Sequence, residues 1–232
     1  MIFAYLDLLD TSVAAFFVFL GAVLTALLVG IAFHEFSHAA MANALGDPTP
    51  RNRGRLSLNP LAHLDPTGTV LLIVGGFGWG KPVPFDPGYM KSPKAGTTLV
   101  AAAGPLANLL LAALFAVPLR SGMAPLHTPL DIGGFNAWGA DDFLGLFLTS
   151  LVVFNLLLFV FNLIPLAPLD GFKVAVGILP GELSRSVAKL EPWGPGVLFL
   201  LFAIPFFTGG VSPLGRLMFP AVNAIATALI GE

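Results

Sequence analysis

LLVGIAFHEFSHAAMANALGD, residues Leu27–Asp47, is the stretch whose reading decides the fold. Two histidines and a glutamate, His34, Glu35 and His38, stand in it among Leu, Val, Ile, Ala and Phe. Ionisable groups in apolar surroundings are costly unless something pairs them. Outward from these residues, the apolar segment runs from Thr11 to Leu45 and closes at Gly46-Asp47-Pro48, a helix-stop pattern. As one helix it would reach ~50 Å, more than the ~30 Å hydrocarbon core of a bilayer. Tilt, a protruding end, or a bend at Gly21 or Gly30 is expected to absorb the excess.

The rest of the composition agrees with a lipid solvent. The chain has 232 residues, of which 56% are hydrophobic and 10% charged, and its mean hydropathy is +0.87. Soluble domains carry roughly 25% charged residues, so the lipid bilayer is a partner by composition. We expect an all-α polytopic membrane protein with about five spanning helices, near residues 12–45, 96–119, 142–163, 195–209 and 213–230, in a single domain over 1–232. The Gly-broken segment 67–80 is short and reads as re-entrant or as a short span. Arg51, Arg53 and Arg55 alternate in a Pro-rich polar stretch, and this period of two predicts a small β-hairpin near the site. The start MIFAYLDLLD has two Asp and no Lys or Arg, unlike a signal peptide, so the first apolar run reads as a retained span.

Basic residues orient the chain. Residues 46–96 and 171–192 hold Arg51, Arg53, Arg55, Lys81, Lys91, Lys94, Lys173, Arg185 and Lys189, nine of the eleven Lys and Arg. Alternate spans would place both segments on one side, which the positive-inside rule makes cytoplasmic, with the N-terminus outside. His34 then lies ~16 Å along the helix from Leu45, within the membrane and nearer its cytoplasmic half. The net charge of −2 includes no basic patch, so nucleic acid is not an expected partner.

Residues i and i+4 share a helix face, so His34 and His38 can converge on one ion with Glu35 beside them. HEFSH is thus the HExxH pattern, in which two histidines hold zinc and the glutamate acts as general base. A structural His–Glu–His cluster is the plainer alternative, but ionisable groups inside a span are functional by default. With no cysteine in the chain, thiolate ligation and disulfides are excluded. A catalytic zinc takes three protein ligands plus water. His63 and His127 fall in loops on opposite sides. Asp170, after a span broken by Pro165 and Pro168, is the better third ligand; its other reading is an N-cap for a helix starting at Gly171.

With HEFSH (His34–His38) and NLIPLAPLDG (Asn162–Gly171) together, the chain resembles the site-2 protease family of intramembrane zinc metalloproteases. NLIPLAPLDG is similar to that family's Asn-x-x-Pro and Leu-Asp-Gly signature, and AGPLAN (Ala103–Asn108) to its Gly-x-x-x-Asn segment. GRLSLNPLAHLDP and GWGKPVP resemble the connecting region of compact prokaryotic members without PDZ or CBS domains. Ala167 departs from the family, where many members have proline. The resemblance implies one Zn2+ per chain on His34, His38 and Asp170, with Glu35 as general base. It implies that Asn162 and Asn108 support substrate or oxyanion, although Asn162 reads equally as satisfying a broken helix end. Gly104, with Ala103 and Ala107, reads as close helix packing. The implied reaction is hydrolysis of a peptide bond in or near the transmembrane helix of a protein substrate, as in regulated intramembrane proteolysis. The alternative from a different class is a metal-ion transporter or metal-binding membrane protein without protease activity. It is disfavoured because transporters show paired repeats and none is evident here.

Overall fold

A computed structural model describes residues 12–65, 68, 80–127 and 138–231. The expected re-entrant segment 67–80 lies almost entirely outside the described residues. Eight α-helices carry the described chain: α1 (Val13–Ala44), α2 (Thr49–Asn52), α3 (Pro93–Arg120), α4 (Ala140–Asn162), α5 (Asp170–Ile178), α6 (Gly181–Ala188), α7 (Gly194–Phe207) and α8 (Pro213–Ile230). Among the described residues five helical runs are long and apolar enough to cross a membrane: α1, α3, α4, α8, and the run Gly181–Phe207 that joins α6 to α7.

Local chemistry sets the helix ends. Ser12 caps α1, its Oγ accepting from the Ala15 N–H at 3.2 Å. Proline at the first position of α3 and of α8 loses no hydrogen bond there, because that N–H has no partner inside a helix. At α4 the Asp142 carboxylate accepts from the Gly139 N–H at 2.8 Å, which also puts negative charge on the positive end of the helix dipole. With 32 residues, α1 runs unbroken for about 48 Å, so it meets the length excess without breaking at Gly21 or Gly30.

Helices α1, α3 and α4 pack on one another and form the heart of the bundle, with α5 laid against α3 and α8 against α4. Small residues permit the close approach. Ala112 and Ala116 of α3 meet Val152 and Leu156 of α4 and Val222 of α8 in one buried cluster, and Ala15, Phe19 and Val23 of α1 meet Leu146 of α4 in another. Leu110, Leu114, Phe199, Phe206 and Phe207 are exposed, as residues facing hydrocarbon would be.

The expected β-hairpin does not form. Among the described residues there is no strand, only an isolated antiparallel bridge between Leu64 and Gly80. Thr49–Asn52 is instead a turn of helix, started by Pro48 and Pro50 and by Asp47, whose Oδ1 accepts from the Thr49 N–H at 2.9 Å. The alternating arginines misled because Arg55 turns inward for a different reason. Its buried guanidinium donates to the carbonyls of Ala62 at 2.6 Å and Lys81 at 3.3 Å, tying two loops together, while Arg51 and Arg53 stay in solvent.

Candidate metal centre

His34 and His38 sit one turn apart on α1, with ring planes at 86° and Nε2 atoms 3.0 Å apart. The chain after α4 folds back through Leu163–Leu169, so α5 begins beside them. Asp170 is the first residue of α5, and the N-cap position falls to Leu169, so the N-cap reading fails. Its Oδ2 lies 3.1 Å from His34 Nε2 and 3.2 Å from His38 Nε2. Among the described residues these three form the one group of His and acidic side chains able to hold a metal ion.

The outer ring nitrogens decide what the inner ones can do. His38 Nδ1 is 2.7 Å from the Val100 carbonyl, which can only accept, so Nδ1 carries the proton. His34 Nδ1 is 2.7 Å from Asn108 Oδ1 and donates likewise. In neutral rings both Nε2 atoms then present lone pairs to each other and to a carboxylate oxygen. Three acceptors at such distances repel unless a cation lies between them. Tetrahedral zinc with bonds of ~2.0–2.1 Å spaces its donors about 3.3 Å apart, close to the three separations here, and N and O donors suit it.

Gly104 of α3 keeps the space open. A Cβ built on it would stand 2.5 Å from His38 Cε1 and 2.7 Å from His34 Nε2, inside van der Waals contact. Sequence reasoning assigned this glycine to helix packing; its closest neighbours are the ligand-type atoms themselves.

Glu35 borders the same cavity, of about 390 Å³, as the two histidines, Asp170 and Asn162. Its carboxylate has no hydrogen bond or ion pair with a described residue. Asn162 donates from Nδ2 to Leu158 O at 3.0 Å, which matches its helix-end reading, yet it also lines the cavity. Asn108 does not line it. Fully buried behind His34, it contacts a metal-ligand-type histidine and no open space, so its place is that of an orienting group. The loop histidines stay apart: His63 bonds Ser57 O at 2.7 Å, and His127 bonds Asp142 Oδ1 at 2.8 Å. Reasoning from sequence missed Val100, whose contribution is a carbonyl, and Asn155, a polar residue in the apolar run of α4.

Sequence comparison places the chain among known proteins. It is 36% identical over 201 residues to "Putative zinc metalloprotease YwhC" of Bacillus subtilis (strain 168), covering 85% of this chain and 84% of that protein. The chain belongs to this zinc metalloprotease family. Two further members named "Putative zinc metalloprotease Rip2" are similar over most of the chain. The one from Mycolicibacterium smegmatis (strain ATCC 700084 / mc(2)155) is 32% identical, with 79% of this chain and 67% of that protein covered. The one from Mycobacterium tuberculosis (strain ATCC 25618 / H37Rv) is 33% identical, with 81% and 68% covered. No family model matches the sequence, and no solved structure does. The cofactor of this metalloprotease is Zn2+, and the His34–His38–Asp170 group is a place that could bind it.

Proposed function

We propose that the chain is an intramembrane zinc endopeptidase of the site-2 protease type, cutting a peptide bond in or near a membrane-spanning segment of a protein substrate. The observation that carries this reading is the triangle of His34 Nε2, His38 Nε2 and Asp170 Oδ2, with the Glu35 carboxylate on the same cavity. Leu27 and Ile31 of α1, Val100 of α3, Leu158 and Phe161 of α4 and Leu198 of α7, all in helical runs apolar enough to cross a bilayer, form part of the wall of that cavity.

In this reading His34, His38 and Asp170 hold zinc. Bound zinc supplies Lewis acidity toward the scissile carbonyl and lowers the pKa of a water to about 7. Glu35 takes a proton from the attacking water and delivers it to the leaving amine nitrogen as the C–N bond breaks, leaving a carboxylate and an amine. Asn162 has a second amide hydrogen and Oδ1 without a partner among the described residues, and these would meet the backbone of an unwound substrate. Ile31, Val83, Phe85 and Leu198 line the cavity around these groups and exclude bulk water. The basic residues cluster at the end of the bundle where α1 ends and α3 begins, so the positive-inside rule sets this end, and the site near it, toward the cytoplasm.

The test is cleavage of a tagged single-span test protein reconstituted with the chain in liposomes. Fragments ending inside the apolar segment by mass spectrometry, produced by wild type and not by Glu35→Gln, are expected. Cuts confined to water-exposed segments would replace the intramembrane reading by that of a membrane-bound protease.

A further inference from the structure

Two side-chain amides stand between His34 and the backbone of α4, and their polarity is determined along the whole path. The Leu151 carbonyl can only accept, so the contact at 2.9 Å turns Asn155 Nδ2 toward it and Asn155 Oδ1 the other way. Asn155 Oδ1 then receives Asn108 Nδ2 at 3.2 Å. The Gly30 carbonyl, 3.1 Å from the same Nδ2, demands the same orientation independently. Asn108 Oδ1 is left facing His34 Nδ1, which must carry a proton, so in the neutral ring Nε2 is the lone-pair nitrogen. A flipped Asn108 would set its oxygen against two acceptors.

We propose that Asn155 is a positioning residue for His34, fixing through Asn108 the tautomer and ring orientation with which that histidine meets zinc. The proposal rests on His34 being a zinc ligand. Both amides are wholly buried, in a bundle core where a misdirected hydrogen bond has no water to replace it. The three helices are brought close enough for the relay by Gly30. A Cβ there would stand 3.0 Å from Asn155 Oδ1 and 3.4 Å from Asn108 Nδ2. The two histidines are thus held differently, His38 by one backbone carbonyl and His34 by side chains of two other helices. Asn155 touches neither cavity nor ligand and acts only through Asn108.

The experiment measures the zinc dissociation constant of the purified full chain by chelator competition, with zinc alone as probe. Asn155→Leu keeps the size and removes the amide; Asn155→Ala removes it without added bulk and serves if the leucine variant does not fold. Either is expected to weaken zinc binding about three- to tenfold, because Gly30 O still holds Asn108, whereas full loss of an outer partner costs about 10–100-fold. Introducing Asn155→Leu into Asn108→Ala should add nothing, since the path is already cut. Ser150→Ala, a buried change on the same helix whose hydroxyl donates to Leu146 O, should leave zinc affinity unchanged. Wild-type affinity in the folded Asn155 variants, or the same fold-loss in the Asn108→Ala background, would overturn the proposal. A wild-type chain that takes up no zinc would instead overturn the metal-site reading beneath it.

Discussion

Asp170 Oδ2 lies within 3.2 Å of both His34 Nε2 and His38 Nε2, although α3 and α4 separate their helices in the chain. Removing this carboxylate leaves two neutral ligands on one helix. Asp170→Ala is expected to drop zinc from near one per chain to a small fraction, read by metal analysis of the purified protein. Full zinc in that variant would show that the third ligand lies elsewhere.

Glu35 occupies the cavity without belonging to the donor triangle. Glu35→Gln keeps shape and removes the base, so zinc content should match wild type while cleavage falls by about 10²-fold or more. Loss of zinc with loss of activity would make Glu35 a ligand and not a base.

At Gly104 helix propensity and metal binding pull in opposite directions. Alanine is favoured over glycine in a helix by about 0.5–1 kcal/mol, yet its methyl would press on His34 Nε2 and His38 Cε1. Gly104→Ala should therefore keep its helical circular dichroism in detergent and bind zinc at least tenfold more weakly. Unchanged zinc affinity would mean that α3 shifts to make room.

Asp47 offers a pH test away from the membrane. Burial pushes its carboxyl up, but the Thr49 hydroxyl and the backbone N–H groups of Asp86 and Thr49 outweigh this and hold it below the usual carboxylate range. A carboxyl lowered on folding contributes stability that is present above its unfolded pKa of about 3.9 and lost as pH falls through the lower folded value. Between pH 5 and pH 3 the melting temperature should thus decline less in Asp47→Asn than in wild type. At pH 7 the Asn variant should already melt lower, because its amide replaces one acceptor oxygen with a donor facing an N–H. Parallel pH profiles would refute the assignment.

The spanning helices were legible because apolar runs of this length have few other solutions. Expected ends at 12–45 and 213–230 fall within a residue of those of α1 and α8. That His34, Glu35 and His38 would share a place was legible from spacing along one helix, and that Asp170 would join them from a chain break beside an incomplete ligand set; the structure brings the four to one cavity. Arg55 shows the limit: alternation of charge looked like pleating, while the residue was turned inward by carbonyls seven and twenty-six positions away. Asn155 and Gly104 show another, since each takes its meaning from a neighbouring helix. A glycine in an apolar helix reads as packing until one knows which atoms it faces.

The fold-back after α4 bears on how the protein is made. In the proposed reading the two histidines of α1 are synthesised well before the carboxylate of α5, with α3 and α4 between them. A nascent chain halted before α5 would then carry two of the three donors, and the set would be complete only once most of the bundle has been made.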